Sequence, residues 1–410
     1  MALEMRVARA DEWDVWYGQL ELAFGGVPES PEDRELYRSL TDIDRSLGVW
    51  DGDACVGSAG AFTFRLSVPG GAIVPAAGVT AVGVSPTHRR RGILTSLMRR
   101  QLDDIRAGGE PLAVLTASDP AIYGRFGYGT ATYALSLEVD TTRVRLSVPP
   151  GTDAVRLRLV DPQEALADCE RVYAALAPTR PGMLARQPGW EALPVLDAPS
   201  GRGGASELKC VVAEREDGEV VGYARYRVKP DWDQSGSDGK VEVSDLDALD
   251  PAACAALWRY LFSIDLTWTV RARRPVDDPV LHLVSDIRRS RPRMRDALHV
   301  RLVDLAAALE ARTYGAPLDV VMAVADAFCP WNEGRWRLVV DAKGVARCTR
   351  TEEPADLELS VRELGSAYLG GIILASLAAA GLVRESRPGA LTEASRAFAG
   401  DVAPWLPHGF

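Results

Sequence analysis

Cysteine and histidine are scarce in this sequence, and neither residue type is grouped. The six cysteines stand far apart with no Cys-x-x-Cys pair, and the four histidines form no local cluster. Zinc sites and disulfide frameworks have recognisable spacings of these residues. The sequence therefore indicates neither, and we expect no metal.

Basic charge and long apolar runs are also in short supply. With 47 Lys and Arg against 57 Asp and Glu, the formal net charge is -10. An acidic chain argues against a nucleic-acid partner, because nucleic-acid phosphates bind to a basic protein face. A cationic small molecule is a better match as a ligand. The first residues lack the apolar core of a signal peptide, and the most apolar window (367–383) falls short of about 20 residues. These features predict a cytoplasmic protein without membrane insertion.

Three domains are predicted from the length of 410 residues and from two breaks in the pattern. The first break is the Pro/Gly-rich "VPPGTDA" (148–154), and the second lies near "RRSRPRMRDAL" (288–298). We therefore divide the chain into residues 1–150, 151–294 and 295–410.

The first of these segments alternates strands and helices. Ser30 before Pro31 predicts a helix N-terminus, and Asp51-Gly52 predicts a hairpin turn. "GVTAVGVSP", an amphipathic helix ending at Gly108-Gly109 and the buried strand "PLAVLTAS" form a strand, helix, strand unit, which favours parallel pairing. "TATYALSLEV" closes the segment as an alternating strand.

A basic motif, "VGVSPTHRRRGILTSLMRR" (82–100), stands between the two parallel strands. Four residues, His88 to Arg91, precede Gly92 at the predicted start of the helix. Free N–H groups and the positive dipole end at a helix N-terminus can bind a pyrophosphate, and glycine permits close approach. A merely solvated basic turn is the alternative, but positive charge there opposes the helix dipole. We interpret the motif as an anion site.

The second segment repeats the first faintly. "VVAEREDGEVVGYARYRV" (211–228) resembles "LGVWDGDACVGSAGAFTF" (47–64), with the turn Asp217-Gly218 in the place of Asp51-Gly52. One element later the glycine and the arginines are absent, and Asp245, Asp247 and Asp250 stand nearby. A phosphate is not expected to bind there.

The third segment has a predicted hairpin at Lys343-Gly344 and helices around 361–369, 372–381 and 388–399. Its apolar run 369–382 is interpreted as a core helix in preference to a lipid tunnel.

The motifs together resemble a known family. "VGVSPTHRRRGILTSLM" is similar to the acetyl-coenzyme A motif of the GCN5-related N-acetyltransferases (GNAT). "HRRRGIL" with "IYGRFGYG" (122–129) and a C-terminal phenylalanine resembles, more narrowly, the enhanced intracellular survival (Eis) acetyltransferases. The resemblance implies an α/β (α+β) chain of two tandem GNAT-like mixed-sheet domains, the second degenerate, followed by a sterol-carrier-protein-like (SCP2-like) α+β domain. It also implies a hexameric acyltransferase that uses acetyl-CoA and needs no metal.

The resemblance implies roles for the residues that match the family's motifs. The strand would offer backbone groups to the coenzyme, and the turn would bind its pyrophosphate; these residues are Val82, Gly83 and Val84, and Arg89, Arg90, Arg91, Gly92, Ile93, Leu94 and Thr95. Ser118 matches an active-site serine. Tyr123 would be the general acid, and the α-carboxylate of Phe410 the general base. The alternatives are that Tyr123 only packs, that the terminus is frayed, or that His408 is the base.

The acceptor site departs from the family pattern. Phe24 matches an aromatic residue and Tyr37 stands in for a tryptophan, but Gly26 and Gly409 replace acidic residues and Thr116 replaces a histidine. Three nearby acids either compensate or form a solvated first helical turn: Glu29, Glu32 and Asp33.

We therefore expect an N-acetyltransferase that acetylates primary amines of polycationic small molecules such as aminoglycosides, by direct transfer in a ternary complex. Two alternatives remain: an acetyltransferase for protein lysines or peptides, and a non-catalytic CoA- or lipid-binding protein.

Overall fold

The fold is a mixed α/β arrangement, described by a computed structural model for residues 3–234 and 236–410. The strands within these ranges are β1 (Glu4–Val7), β2 (Leu47–Asp51), β3 (Ala54–Ser67), β4 (Ile73–Val84), β5 (Leu112–Thr116), β6 (Gly129–Thr130), β7 (Tyr133–Asp140), β8 (Arg156–Val160), β9 (Lys209–Glu214), β10 (Val220–Lys229), β11 (Trp232–Asp233), β12 (Gly236–Ser237), β13 (Gly239–Ala248), β14 (Thr267–Pro275), β15 (Arg293–Asp296), β16 (Leu298–Leu302), β17 (Leu318–Ala325), β18 (Gly334–Val340), β19 (Ala346–Arg350), β20 (Leu357–Ser360) and β21 (Val383–Glu385). The helices are α1 (Trp13–Ala23), α2 (Pro31–Leu40), α3 (Ile93–Ala107), α4 (Pro120–Tyr123), α5 (Leu166–Leu176), α6 (Pro251–Phe262), α7 (Val280–Leu283), α8 (Leu305–Ala311), α9 (Val361–Ala367), α10 (Leu374–Ala379) and α11 (Ala390–Phe398).

Two compact units divide the chain. The first holds the residues up to Thr132, Arg180–Ala185 and Ala297–Phe410, and the second holds Tyr133–Thr179 and Arg186–Asp296. The first unit contains a seven-stranded sheet in the order β1-β2-β3-β4-β5-β16-β6 and a five-stranded sheet in the order β19-β18-β17-β20-β21. The second contains a seven-stranded sheet in the order β15-β7-β14-β13-β10-β9-β8.

The first sheet forms around the predicted parallel unit. β4 and β5 pair in parallel across α3, and β2 and β3 form the hairpin that turns at Asp51-Gly52. α2 begins as predicted, because the Ser30 hydroxyl accepts a hydrogen bond from the Asp33 N–H. α3 buries one face against this sheet, since its apolar side chains recur at helical spacing: Ile93, Leu97, Met98, Leu102 and Ile105.

Strand pairing over long sequence distances departs from the expected order. The predicted strand "TATYALSLEV" exists as β6 and β7, but β7 pairs with β14 and β15 in the second unit. β16, from much later in the chain, pairs with β5 in the first sheet. Alternation of apolar and polar residues indicates a strand without identifying its partner. The predicted domain boundaries near 150 and 295 stay a prediction.

The second unit repeats the hairpin and crossover but not the anion site. β9 and β10 pair across the turn at Asp217-Gly218, and β13 and β14 pair in parallel across α6. At the start of α6 the Asp250 carboxylate accepts from the Ala253 N–H at 2.8 Å, and Pro251 has no N–H. This helix start presents an acid in the place where a phosphate would need free donors.

The five-stranded sheet carries α8 to α11. β18 and β19 form the predicted hairpin at Lys343-Gly344, and three helices follow near the predicted positions. The interpretation of 369–382 as a core helix is wrong for α10, because only Leu374 is buried in it and Ile373 is 50% exposed. No helix in the two described ranges combines the length and the apolar character that crossing a bilayer requires.

Candidate active site

A cleft of about 600 Å³ lies beside the start of α3. Its lining includes Val82, Gly83, Val84, Arg89, Arg90, Gly92, Ile93, Leu94, Thr95, Ser118 and Tyr123. All of these except Tyr123, the expected general acid, are residues expected to bind the coenzyme, and one expected residue is missing from the lining. Arg91 is exposed and does not line the cleft.

The cleft has an open strand edge along one wall. β4 pairs with β5 only from Ala76 to Gly78, and within the described ranges no strand pairs with the rest of that β4 edge. The register between β3 and β4 shifts near Ala81, which has a φ of 52°. The buried Ser58 hydroxyl lies 2.7 Å from the Ala81 carbonyl oxygen and holds this bulge. Strand edges without partners offer backbone hydrogen bonds to a ligand.

The turn before α3 is built for an anion. Arg90 and Gly92 both have left-handed backbone conformations, with φ of 63° and 82°. No side chain caps α3, and its first turn contains no acid. The free N–H groups of this turn, with the Arg89 and Arg90 guanidiniums beside them, can bind a pyrophosphate.

A second cavity, of about 280 Å³, adjoins the first. Both cavities are lined by Phe24, Val82, Ser118 and Tyr123. The second also includes Tyr37, Thr116 and Phe410. Because the two cavities share a wall, a group bound in the cleft can meet a molecule bound in the second cavity, which we name the acceptor cavity.

Tyr123 lies at this shared wall. It ends α4, whose N-cap Asp119 accepts from the Ala121 N–H at 3.1 Å. The Tyr123 ring packs edge-on against Tyr128 with centroids 6.0 Å apart. Burial, with a smaller contribution from Asp119, raises the pKa of Tyr123 to about 12. The phenol is thus protonated at neutral pH and available as a proton donor.

Phe410 reaches the acceptor cavity on a fixed tail. Its ring packs edge-on against Phe64 at 4.9 Å and lies over Gly78, where an added Cβ would stand 3.3 Å from a Phe410 ring carbon. The Trp405 N–H donates to the Pro181 carbonyl at 2.8 Å, and Arg180 donates to the Ala403 carbonyl at 2.8 Å. The segment from Arg180 to Ala185 therefore anchors the last residues. His408 does not line either cavity.

Three acidic residues line the acceptor cavity: Glu21, Glu29 and Asp42. Of the three acids considered from the sequence, Glu29 lines the cavity, whereas Glu32 and Asp33 do not. Gly26, which replaces an acidic family residue, does not line it either. Glu21 and Asp42 were not predicted from the sequence. Glu21 lies on the helix before Phe24, and nothing in the local pattern separates these two acids from ordinary surface residues.

Aromatic hydroxyls border these acids. The Tyr17 hydroxyl donates to Glu29 across 2.5 Å, and the Tyr17 and Tyr37 rings stack with centroids 6.3 Å apart. Burial, with the nearby Glu29 and Asp33 charges, raises the pKa of Tyr37. Burial, with the hydrogen bond to Glu29, also raises the pKa of Tyr17, so both phenols are neutral at physiological pH.

These features define a class of protein. A parallel strand, helix, strand crossover, a bulged strand with an open edge and an uncapped left-handed turn at the helix start are together typical of a GNAT acetyltransferase. Profiles of known protein families match the chain in agreement with this geometry. The profile described as "Acetyltransferase (GNAT) domain" matches residues 4–131 and, in a second version, 182–302, and that described as "Sterol carrier protein domain" matches 305–407.

Relatives over the whole length identify the family within that class. The chain is 68% identical over 411 residues to an uncharacterised N-acetyltransferase of Streptomyces avermitilis, covering 100% of both. It is 35% identical over 404 residues to N-acetyltransferase Eis of Mycobacterium tuberculosis, covering 95% of this chain and 96% of Eis. The crystal structure of Eis1 from Mycobacterium abscessus superposes with a TM-score of 0.83 at 34% identity, covering 100% of both chains. The chain therefore belongs to the Eis family of N-acetyltransferases.

Membership confirms several expectations from the sequence. The fold has two GNAT domains and an SCP2-like domain, and the faint repeat in the second segment is a GNAT repeat. The activity is that of an N-acetyltransferase, with acetyl-CoA as the cosubstrate that GNAT domains use.

Proposed function

We propose that the protein transfers the acetyl group of acetyl-CoA directly to a primary amine of a polycationic small molecule such as an aminoglycoside, within a ternary complex. The observation that supports this is the position of Tyr123 between an anion-binding cleft and an acid-lined cavity. Among the described residues that line the acceptor cavity there is no lysine or arginine. Its electrostatic potential therefore favours a cation.

The cleft fits acetyl-CoA by its chemistry. The open edge of β4 at Val82 to Val84 supplies backbone groups for an amide-containing pantetheine arm. Arg89, Arg90 and the N–H groups around Gly92 supply charge and donors for the pyrophosphate. Ser118, on the shared wall, lies where the thioester would enter the acceptor cavity. Phe24 and Tyr37 form part of the wall on the acceptor side.

The transfer then needs two proton movements. The amine nitrogen attacks the thioester carbonyl, which forms the C–N bond and makes the nitrogen acidic. The α-carboxylate of Phe410 takes the nitrogen's proton. The C–S bond breaks, and the Tyr123 phenol gives its proton to the departing thiolate. Because attack acidifies the nitrogen, a weakly basic carboxylate suffices as the acceptor.

Steady-state kinetics test the ternary complex. Initial rates of thiol release, measured while acetyl-CoA and an aminoglycoside are both varied, should give intersecting double-reciprocal lines, and mass spectrometry should show the antibiotic with added acetyl groups. Parallel lines would indicate an acetyl-enzyme and contradict direct transfer. Thiol release with peptides but not with aminoglycosides would show that the acceptor is a protein or peptide amine.

We further propose a hexamer, as the family resemblance implies, and a cytoplasmic location and domain boundaries near residues 150 and 295, as the sequence pattern predicts. Light scattering coupled to size exclusion tests the assembly, since a hexamer should elute at six times the mass of the 44.3 kDa chain. A monomer or dimer at micromolar concentration would contradict it.

A further inference from the structure

A buried chain of polar groups leads from helix α1 to the bulge of β4. The Ser58 hydroxyl oxygen lies 2.5 Å from the Gln19 side-chain oxygen and 2.7 Å from the Ala81 carbonyl oxygen. Ser58 is fully buried, and Gln19 is only 4% exposed. Because bulk water does not reach these groups, they depend on one another for their hydrogen bonds.

The single hydrogen of the Ser58 hydroxyl decides the direction of this chain. The hydroxyl can donate to only one of its two neighbours. The Ala81 carbonyl can only accept, so the hydroxyl donates to it. The Gln19 Nε2 group has no hydrogen-bond partner among the described residues. A 180° turn of the amide occupies the same space and lets Nε2 donate to the Ser58 oxygen. The hydrogen bonds then run from Gln19 to Ser58 and from Ser58 to Ala81.

The Ala81 carbonyl sets the direction of the next N–H group. The peptide unit between Ala81 and Val82 is trans. In a planar trans unit the C=O and the N–H point in opposite directions. Since the carbonyl is held toward Ser58, the Val82 N–H points away from Ser58. Val82 lines both the cleft and the acceptor cavity. Its N–H is therefore a backbone donor at the wall that the two cavities share.

This peptide unit needs side-chain support. Ala81 has a φ of 52°, in the left-handed region that is unfavourable for alanine. The β3–β4 register shifts between Ser58 and Gly60, and a bulge interrupts the regular ladder of hydrogen bonds. The Ser58 hydrogen bond is thus an additional constraint on the orientation of the Ala81 carbonyl.

Helix α1 packs directly on the same stretch of β4. A Cβ at Gly83 would stand 2.9 Å from the Ala23 Cβ and 3.5 Å from the Gln19 side-chain oxygen. The same helix contributes Leu20 and Glu21 to the lining of the acceptor cavity. Gln19 therefore connects the helix on the acceptor side with the strand on the coenzyme side.

We propose that Ser58 and Gln19 are positioning residues for acetyl transfer: through the Ala81 carbonyl, they direct the Val82 N–H toward the thioester carbonyl oxygen. There the N–H stabilises the negative charge that develops as the amine attacks. Neither side chain lines the cleft or the acceptor cavity, so both act through the backbone. The inference rests on the proposed binding of acetyl-CoA in the cleft and does not depend on the identity of the acceptor.

The first test needs acetyl-CoA alone. A hydrogen bond to the thioester oxygen polarises the carbonyl and moves its carbon-13 resonance downfield. The resonance of acetyl-CoA labelled at the carbonyl carbon is measured in complex with the wild type, Ser58→Ala and Gln19→Met. We expect a downfield shift on binding to the wild type, most of which is lost in Ser58→Ala and a smaller part in Gln19→Met. No downfield shift in the wild type, or the same shift in Ser58→Ala, would overturn the inference.

The second test is kinetic, with thiol release measured in the presence of the aminoglycoside tobramycin. A reacting group that is misplaced by about 1 Å costs up to roughly 10²-fold in rate. We therefore expect kcat to fall by about 10- to 100-fold in Ser58→Ala, with little change in KM for acetyl-CoA. Because Gln19 acts through Ser58, the double variant should lose no more than Ser58→Ala alone. Losses that multiply in the double variant would contradict the chain from Gln19 through Ser58.

Thr152→Val is the matched control. Thr152 is 1% exposed, and its hydroxyl donates to the Pro149 carbonyl oxygen at 2.7 Å in the second compact unit. This variant should lower the unfolding temperature about as much as Ser58→Ala does, while kcat and the carbon-13 shift stay unchanged. An equal fall of kcat in both variants would indicate a purely structural role and overturn the inference.

The two readouts separate this inference from the proposed function. If no amine supports thiol release, the proposed acetyl transfer fails. The carbon-13 shift still decides the role of Ser58 and Gln19 in that case, because it requires only bound acetyl-CoA.

Discussion

Replacement of Tyr123 by phenylalanine removes the proposed proton donor and little else. The ring lies edge-on to Tyr128 and lines both cavities, so Phe should keep the packing. General acid catalysis contributes typically 10²- to 10⁴-fold, or about 3–5 kcal/mol of the activation free energy. We expect kcat for thiol release to fall by about this factor, while KM for acetyl-CoA changes little, since the phenol acts on the leaving thiolate.

The matched control is Tyr128→Phe. Tyr128 is 1% exposed, and its hydroxyl has no hydrogen-bond partner in the described part of the chain. Removing this hydroxyl should leave kcat unchanged and should not lower the unfolding temperature, because a buried polar group without a partner costs free energy. A loss of kcat below about 10-fold in Tyr123→Phe, or an equal loss in both variants, would refute the acid role.

The pH profile gives a second check on the same residue. A phenol with a pKa of about 12 remains protonated through the neutral and mildly basic range. The wild-type kcat should therefore show no fall from loss of this proton below about pH 11. A basic limb near pH 9 that disappears in Tyr123→Phe would contradict the raised pKa.

Three further changes test the stability and the coenzyme site. Asp326→Asn leaves the fully buried Arg301, at 2.7 Å, without its charge partner and should lower the unfolding free energy in urea by about 3–5 kcal/mol; an unchanged urea midpoint would contradict this. Gly92→Ala strains a turn at φ 82° and should raise KM for acetyl-CoA. Gly109→Ala, with similar strain at φ 77° at the other end of α3, should leave this KM unchanged. An equal rise in KM in both variants would contradict a specific role of the Gly92 turn in coenzyme binding. The hydrogen bond from Arg6 lowers the pKa of Glu12 from 4.5 to about 2, so Glu12→Gln should remove stability that the wild type loses as the pH falls from about 4.5 to 2; parallel curves of unfolding temperature against pH would contradict this.

The local chemistry of the coenzyme site could be predicted from the sequence. A glycine with arginines before it at the start of an amphipathic helix is a local pattern, and the structure places Arg89, Arg90 and Gly92 at the cleft. The bulge at Ala81 could not be predicted, because it depends on Ser58 and the register of β3 with β4. Such a register is a long-range property.

The acceptor side was less predictable for the same reason. Asp42 follows α2 as an ordinary surface acid would, and only the packing of α2 against α1 brings it to the cavity. The anchoring of the tail by Arg180 and Pro181 likewise joins residues more than 200 positions apart. Local propensity contains no information about such contacts. The roles of Tyr123 and Phe410 stay predictions until they are measured.

In the proposed mechanism, acetyl transfer to an amine depends on the α-carboxylate of Phe410. The decisive measurement is the initial rate of thiol release with a cationic amine for the full chain, a chain ending at Gly409 and Phe410→Leu. Phe410→Leu keeps the α-carboxylate at the end of the anchored tail, whereas the shortened chain moves it by one residue. We expect the rate to fall by about 10²- to 10⁴-fold on truncation and by much less in Phe410→Leu. An unchanged rate in the shortened chain would contradict the role of the Phe410 α-carboxylate as the base.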